Sequence, residues 1–343
     1  MGVKLGPLMR ELGIGKLIDP SDLQERILII DALPTLYQML AMIRDKRGLY
    51  LVDSKGRVTS HLVGLFNRTC RLLAMGVKPV YVFDGPPHPW KRKEIEARKK
   101  ERLEFQKKFI EAVLEGRYEE AKKLGKRAMI VTDEMVKSAK QLLELMGIPI
   151  IDAPHDAEAQ AAYMVSRGEG FAVASRDWDA FLYGAPRLIM EFKVSITPYE
   201  KPILYELNEF LTKAGITQEQ LIDLALILGT DYNPEGSRGI GPKTALRLIK
   251  KYKNIENVIA NRKIIWRWDV PPDKLRELFL NPPVNKNYKI RFREPDVDGI
   301  IRFLVDEYNF NKQRVLNELR EVLKRLESEK RGVKQVSLDT FFR

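Results

Sequence analysis

Short apolar runs that end in an acid, separated by stretches of helical periodicity, are the feature that most constrains this chain. "RILIIDAL" (26–33) precedes the helical stretch "TLYQMLAMIRD". "VTSHLVGLFNRTCRLLAMG" (58–76) has helical periodicity and ends at Gly76, before the apolar run of "VKPVYVFDGPP" (77–87). "DEMVKSAKQLLELMGIPII" (133–151) repeats the order of helix, glycine and strand, and "GFAVASRDWDAFLYG" (170–184) supplies the next strand. Continuous apolar runs suit strands buried on both faces, and strand–helix–strand alternation predicts an α/β fold with a mostly parallel central sheet flanked by helices.

Residues 88–132 break that rhythm. They are rich in Lys, Arg and Glu, and 91–108 hold nine basic side chains against four acids. No strand signal is present, so the stretch reads as helices inserted on the sheet. A charged run of this kind is ordinarily a solvated helix face. From about residue 215 the chain reads as helical, apart from a Pro-rich connection around 270–284. The last dozen residues, "RGVKQVSLDTFFR", lack a core pattern and read as an exposed tail.

Composition narrows the function. The net charge of +12 favours a polyanionic partner, nucleic acid before membrane. Cys70 is the single cysteine, which excludes a disulfide framework and a thiol-based metal site. No apolar run approaches the roughly 18 residues of a membrane span. The start "MGVKLGPLMRELGIGKLI" has no secretory h-region. A soluble protein of a reducing, intracellular compartment is expected.

The acids fall in a pattern. Asp31 follows "ILII", Asp84 follows "VYVF", and Asp177 and Asp179 follow "FAVAS". "IIDAPHDAE" brings Asp156 and Glu158 one short loop beyond the strand "IPII", and Asp231 follows the apolar run of "LALILGTDYNP". Any one aspartate here reads best as a turn or cap residue, and Asp156 suits the N-cap of the helix that follows it. Ligands of open parallel sheets, however, bind beyond the carboxyl ends of the strands. Seven carboxylates converging there would repel one another unless cations sat among them. Oxygen-only ligands suit magnesium or manganese, and three histidines with one cysteine argue against zinc. Two such ions could activate a water and stabilise the leaving oxygen of a phosphodiester.

"GSRGIGPKTALRLIKKY" (236–252) points to the substrate. Gly239, Ile240 and Gly241 form a tight hairpin into a basic helix, whose exposed N–H groups, with Lys243, make an anion site. With Pro242 and the basic helix behind it, the element reads as a grip on a nucleic-acid backbone, independent of sequence. Lys91 and Arg98 lie seven apart on one helix face close after Asp84. They are either a solvated face or a source of charge for a phosphate.

Taken together, "MGVKLGPL", "IIDALPTLYQ", "YVFDGPP", "MGIPIIDAPHDAEAQAAYM", "ASRDWDAFLYGAPRL", "ILGTDYNPEGSRGIGPKTAL" and "QVSLDTFF" resemble the flap endonuclease family of structure-specific 5′ nucleases over nearly the whole chain. The resemblance implies a single nuclease domain over 1–330. Its nuclease region at 1–87 is followed by a helical gateway and cap insertion at about 88–132. An internal nuclease region with a helix–two-turn–helix element runs from about 133 to 330, and a flexible clamp-binding tail occupies 331–343.

It also implies a two-metal site of Mg²⁺, with Mn²⁺ as a substitute. Asp31, Asp84, Asp156 and Glu158 would serve one ion, and Asp177, Asp179 and Asp231 the other, with Glu158 near both. Lys91 and Arg98 match the family's paired catalytic cations. Tyr37 matches the aromatic that stacks at the bend of the DNA, Gly2 begins a segment near the active site, and a K⁺ ion at the glycine hairpin is implied. Gln335, Leu338, Phe341 and Phe342 fit the pattern Q-x-x-[ILM]-x-x-F-F that binds the sliding clamp (PCNA).

The implied activity is removal of 5′ flaps from branched DNA in replication and repair, by a monomer, with 5′ exonuclease action on the side. An archaeal cytoplasm, at the nucleoid, is the implied location, since eukaryotic members, which are nuclear, usually extend beyond the clamp motif with a basic tail. Two rivals stand beside this reading: a 5′→3′ exonuclease of the same superfamily, and a non-catalytic DNA and clamp adaptor. Two departures from the family are visible. Asp156 stands where the usual pattern is Glu-x-Glu, one methylene short, and "SRDWDAF" carries Arg176 and Trp178 where Gln and Tyr or Thr are frequent.

Overall fold

The computed structural model describes residues 2–190 and 201–341; the side chains of 92, 93, 126 and 329–341 lie outside the described set. Seven strands form one sheet: β1 (Lys16–Leu17), β2 (Ile27–Asp31), β3 (Lys78–Phe83), β4 (Ile150–Asp152), β5 (Ala172–Ala174), β6 (Arg187–Met190) and β7 (Ile203–Glu206). Their order is β1-β7-β6-β5-β2-β3-β4. The pairs β6–β5, β5–β2, β2–β3 and β3–β4 are parallel, while β7 runs antiparallel to both β6 and β1. The predicted mostly parallel α/β sheet is therefore present, and the antiparallel edge is the part that no apolar run announces.

Residue alternation divides the core. Ile29, Val80, Val82 and Val173 face one side of the sheet, under the helices Ala157–Ser166 and Gln218–Leu228. Leu28, Ile30, Tyr81, Phe83 and Ala172 face the other, under the helix Ser60–Ala74 and the final helix. With successive side chains pointing to opposite faces, an apolar strand buried on both sides is what the continuous runs required.

β2 sits between β5 and β3, with Ile30 level with Ala174 and Tyr81. That register brings Asp31, Asp84 and the "SRDWD" segment to one sheet edge. Gly85 brings the fourth chain there. Its N–H donates to His155 O at 2.8 Å, and a Cβ at this position would strike the Ala153 and Pro154 carbonyl oxygens. Only glycine lets the segments after β3 and β4 run this close.

The charged insertion forms two helices, Arg92–Leu114 and Tyr118–Arg127, packed on each other. Arg44 ties them to the body by donating to Leu40 O, Gly48 O and Gly125 O. The C-terminal helix spans Lys312–Phe341, so the backbone of the expected clamp tail is helical up to that residue. The anchor side chains of Gln335, Leu338 and Phe341, and all of Phe342, lie outside the described residues. Among the described residues, no helix is long and apolar enough to cross a membrane.

Candidate active site

A cleft of about 740 Å³ opens at the carboxyl edge of the sheet, bounded on its far side by the helix Arg92–Leu114. Asp31, Asp84, Asp156, Glu158, Asp177 and Asp231 line it, with Lys91, Arg98 and Tyr37. Asp179 lies beneath, 5% exposed, where its Oδ1 accepts from Val3 N at 2.8 Å. The seven acids nominated as metal ligands and the two cations nominated for catalysis, Lys91 and Arg98, therefore belong to one region.

The acids divide by who answers their charge. Asp31 is buried, and its Oδ1 has no hydrogen-bond partner among the described residues. Burial first, then the charge of Asp84, raises its pKa well above the usual carboxylate range. Glu158 is raised likewise, by burial and then by Asp177 and Asp179, although Ser175 Oγ donates to its Oε1 at 3.0 Å. Burial and Asp177 push Asp179 up to about 7, burial pushes Asp84 up to about 6, and burial raises Asp177. Asp156 and Asp231 go the other way. Burial is the largest single influence and would raise both, but Lys91 with two tyrosine hydroxyls at Asp156, and Lys91 with Arg98 at Asp231, together outweigh it. Lys91 Nζ is 2.7 Å from Asp156 Oδ2 and 4.0 Å from Asp231 Oδ2, and Arg98 Nη2 donates to Asp231 Oδ1 at 2.8 Å. Both basic residues thus reach into the acidic edge and are not a solvated face, although Lys91 ends the 3-10 turn Pro89–Lys91 at the N-cap of the helix Arg92–Leu114 and only Arg98 lies within that helix.

The cap expected of Asp156 is not made by its side chain. Asp156 occupies the N-cap position of Ala157–Ser166, yet its carboxylate accepts no hydrogen bond from that helix. The carboxylate that does is Asp84, whose Oδ1 takes Ala157 N–H at 2.7 Å from 73 residues away. Asp156 Oδ2 instead accepts from Lys91, Tyr183 and Tyr232. A donated N–H favours the ionised form of Asp84, and a carboxylate at a helix N-terminus stabilises by about 1 kcal/mol.

Oxygen donors predominate here: among the described residues that line the cleft, His155 is the one imidazole, and its Nδ1 is paired with Pro86 O. An orphaned carboxylate oxygen and several acids whose pKa burial and mutual repulsion raise are what a hard divalent cation would relieve, so the donor set fits Mg²⁺ or Mn²⁺. Among the described residues, no three His, Cys, Asp or Glu side chains are gathered closely enough to hold a metal ion.

Other nominated residues take clear places. Gly2 lies against Asp177, where any side chain would collide with the carboxylate. Tyr37 is held by Arg102, which donates to its Oη at 2.6 Å and lies 4.7 Å from its ring centroid. Arg176 lines the cleft and is exposed, and Trp178 packs edge-on against Tyr205 at 4.7 Å. At the glycine hairpin Gly239 has φ +75°, Gly241 precedes Pro242 at the start of the helix Pro242–Tyr252, and Ile240 is half-buried against the core. Lys243 Nζ meets Glu11 Oε1 at 3.0 Å on the surface. Ser237 Oγ, beside the hairpin, is buried with no partner.

Sequence reasoning passed over Arg102, Tyr183 and Tyr232. Arg102 continues the face of Arg98 by one turn, and Tyr232 directly follows Asp231, so both carried a local signal. Tyr183 carried none: its tie to Asp156 joins separate elements.

Two family models match the chain, the XPG N-terminal domain over residues 1–105 and the XPG I-region over 147–231. A flap endonuclease 1 of Staphylothermus marinus is 44% identical over 353 residues, covering 100% of both chains. That of Pyrococcus horikoshii is 44% identical over 351 residues, covering 100% of this chain and 98% of its own. Among solved structures, flap endonuclease-1 from Methanococcus jannaschii superposes with a TM-score of 0.75 at 35% identity, over 96% of this chain and 100% of that one. The catalytic core of Rad2 in complex with DNA substrate shares the fold, with a TM-score of 0.74 at 24% identity over 94% and 100% of the two chains.

Proposed function

We propose, because the chain belongs to the flap endonuclease family of DNA-hydrolysing enzymes, that it removes 5′ flaps from branched DNA by two-metal phosphodiester hydrolysis. The observation that carries this reading is the meeting of seven acids from separate segments at one parallel-sheet edge, with Lys91 at the N-cap of the inserted helix and Arg98 within it reaching over them.

Asp31, Asp84, Asp156 and Glu158 would hold one Mg²⁺, and Asp177, Asp179 and Asp231 the other, with Mn²⁺ as a substitute. When bound, the pair supplies Lewis acidity at the scissile phosphate and lowers the pKa of an attacking water. The protein's own residues do the rest. Lys91 and Arg98 hold positive charge beside the place where the phosphate gains negative charge, within walls of low dielectric. Gly2, lacking a side chain, lets the N-terminal segment lie directly against the Asp177 carboxylate. Tyr37, steadied by Arg102, offers a ring on which a base at the bend of the substrate can stack.

The hairpin Gly239–Ile240–Gly241 with Lys243 would grip duplex phosphates from a distance, adding affinity without reading sequence. K⁺ is assigned to the same hairpin, and the unpartnered hydroxyl of Ser237 is a ready oxygen for it. The helices Arg92–Leu114 and Tyr118–Arg127 would form the gateway that admits a single-stranded 5′ end. Gln335, Leu338, Phe341 and Phe342 would seat the protein, as a monomer, on the sliding clamp. A secondary 5′ exonuclease activity is expected from the same site.

Cleavage of a 5′-labelled double-flap DNA tests the reading. In Mg²⁺ the whole flap should be released at the junction, and chelation should abolish release. A recessed blunt end should be cut at least about tenfold more slowly, a difference of about 1.4 kcal/mol in the barrier. Equal rates on the two substrates would favour a 5′→3′ exonuclease, and tight, salt-sensitive binding without cutting would favour an adaptor.

A further inference from the structure

Three donors meet on a single oxygen of Asp156. Lys91 Nζ, Tyr183 Oη and Tyr232 Oη each lie 2.7 Å from Oδ2, while Oδ1 accepts no hydrogen bond among the described residues. A carboxylate oxygen has about two lone-pair sites, so three donors saturate it.

The donors are themselves fixed by packing. Phe279 stands against both tyrosines, with ring centroids 5.0 Å from Tyr183 and 5.5 Å from Tyr232. His88 closes the outer side of Tyr232 at 5.9 Å, and the two hydroxyls are 3.4 Å apart. Lys91 Nζ sits 4.5 Å from the Tyr232 ring centroid, so the same aromatic also faces the cation. The space behind Asp156, bounded by Tyr183, Tyr232 and Pro282, measures about 10 Å³. That is about the lower limit for a single water.

We propose that Tyr183 and Tyr232 are positioning residues that hold Asp156 against the wall of the cleft, so that this acid anchors Lys91 and offers at most one oxygen to a cation. The idea rests on the two-metal reading above. It accounts for an Asp where the family pattern has Glu: the short side chain reaches the tyrosine pair and Lys91, and its second oxygen is spoken for. The tyrosines act on the reaction only through Asp156 and Lys91.

Mn²⁺ alone, titrated into the full chain without DNA, tests this by electron paramagnetic resonance of the free ion and by water-proton relaxation of the bound one. The variants are Tyr183→Phe, Tyr232→Phe and the double change, which keep ring volume. Release of Oδ2 in the double variant should tighten Mn²⁺ binding by about three- to tenfold. It should also lower the relaxation enhancement per bound ion, because a carboxylate oxygen replaces a water. Asp156→Asn should change Mn²⁺ affinity by less than about threefold in the native background, yet erase the gain in the Phe–Phe background, a coupling that a merely structural role would not produce.

Unchanged affinity and relaxation in the double variant would overturn the proposal. So would a loss on Asp156→Asn as large as that on Asp84→Asn. Should the double variant fail to fold, Tyr183→Phe alone must show the same direction of change, and its failure to do so overturns the proposal equally. If the native chain binds no Mn²⁺, the two-metal reading itself fails and this inference falls with it; native binding with unresponsive variants overturns the inference alone.

Discussion

Two places in this molecule bury acids, and they treat them in opposite ways. On the helix Gln218–Leu228, Asp223 is 1% exposed, and both of its oxygens are answered by the protein. Arg276 Nε donates to Oδ1 at 2.7 Å and Ile255 N to Oδ2 at 3.1 Å, while Arg276 also holds Glu256 at 2.7 Å. At the sheet edge, Asp31 and Asp179 are buried at 5% exposure and Glu158 is half-buried, yet among the described residues their partners are one hydroxyl, backbone N–H groups or, for Asp31 Oδ1, nothing. A buried acid with its own arginine fastens three helices together. Buried acids without one store repulsion that an external cation can relieve. Burial depth does not separate the two; the source of the counter-charge does.

The strongest test of that contrast removes an acid from each place. Asp179→Asn should cut flap cleavage at least about a thousandfold in a single-turnover assay, equivalent to about 4 kcal/mol in the barrier. At pH 8, above the raised pKa of Asp179, the same change should raise the melting temperature of the metal-free chain, because a repelling buried charge is gone. A fall in that melting temperature would break the comparison.

Arg276→Met attacks the other place. Breaking a buried pair leaves Asp223 uncompensated and should cost about 3–5 kcal/mol in denaturant unfolding. Mn²⁺ affinity of the folded fraction should not change, since the network is remote from the carboxylate edge. A loss of metal binding equal to the loss of stability would show the two places to be coupled.

Proton linkage gives a milder and sharper test. Asp84, raised to about 6, and Asp179, raised to about 7, hold protons in the folded state that the unfolded chain has already released above about pH 4. The metal-free fold therefore loses stability as pH rises from about 4 to about 7. Mg²⁺ binds best once both are ionised, so its stabilisation should be near zero at pH 5 and about 3 kcal/mol at pH 8 with the ion at roughly a hundred times its dissociation constant. Asp223, pushed up to about 6 chiefly by burial, contributes its own pH slope but none that depends on Mg²⁺. Thermal melts with and without Mg²⁺ at the two pH values read the difference directly.

Much of this was legible in the chain itself. Apolar runs of strand length ending in Asp31, Asp84 and Asp177 placed acids at the ends of parallel strands, because strand periodicity and the position of an acid after it are local properties. The same holds for the Gly239–Gly241 hairpin, and for Lys91 and Arg98, whose spacing predicts one helix face. Strands β1, β6 and β7 were not legible: they are two to four residues long, and pairing partners rather than composition make them strands. Nor could the chain tell that Asp84, not Asp156, would cap the helix Ala157–Ser166, or that Tyr183 and Tyr232 would claim Asp156. Sequence alone determined which groups reach the edge of the sheet. Tertiary structure decided which oxygen bonds to which donor, because those bonds join segments 27 to 76 residues apart and depend on packing that no local pattern encodes.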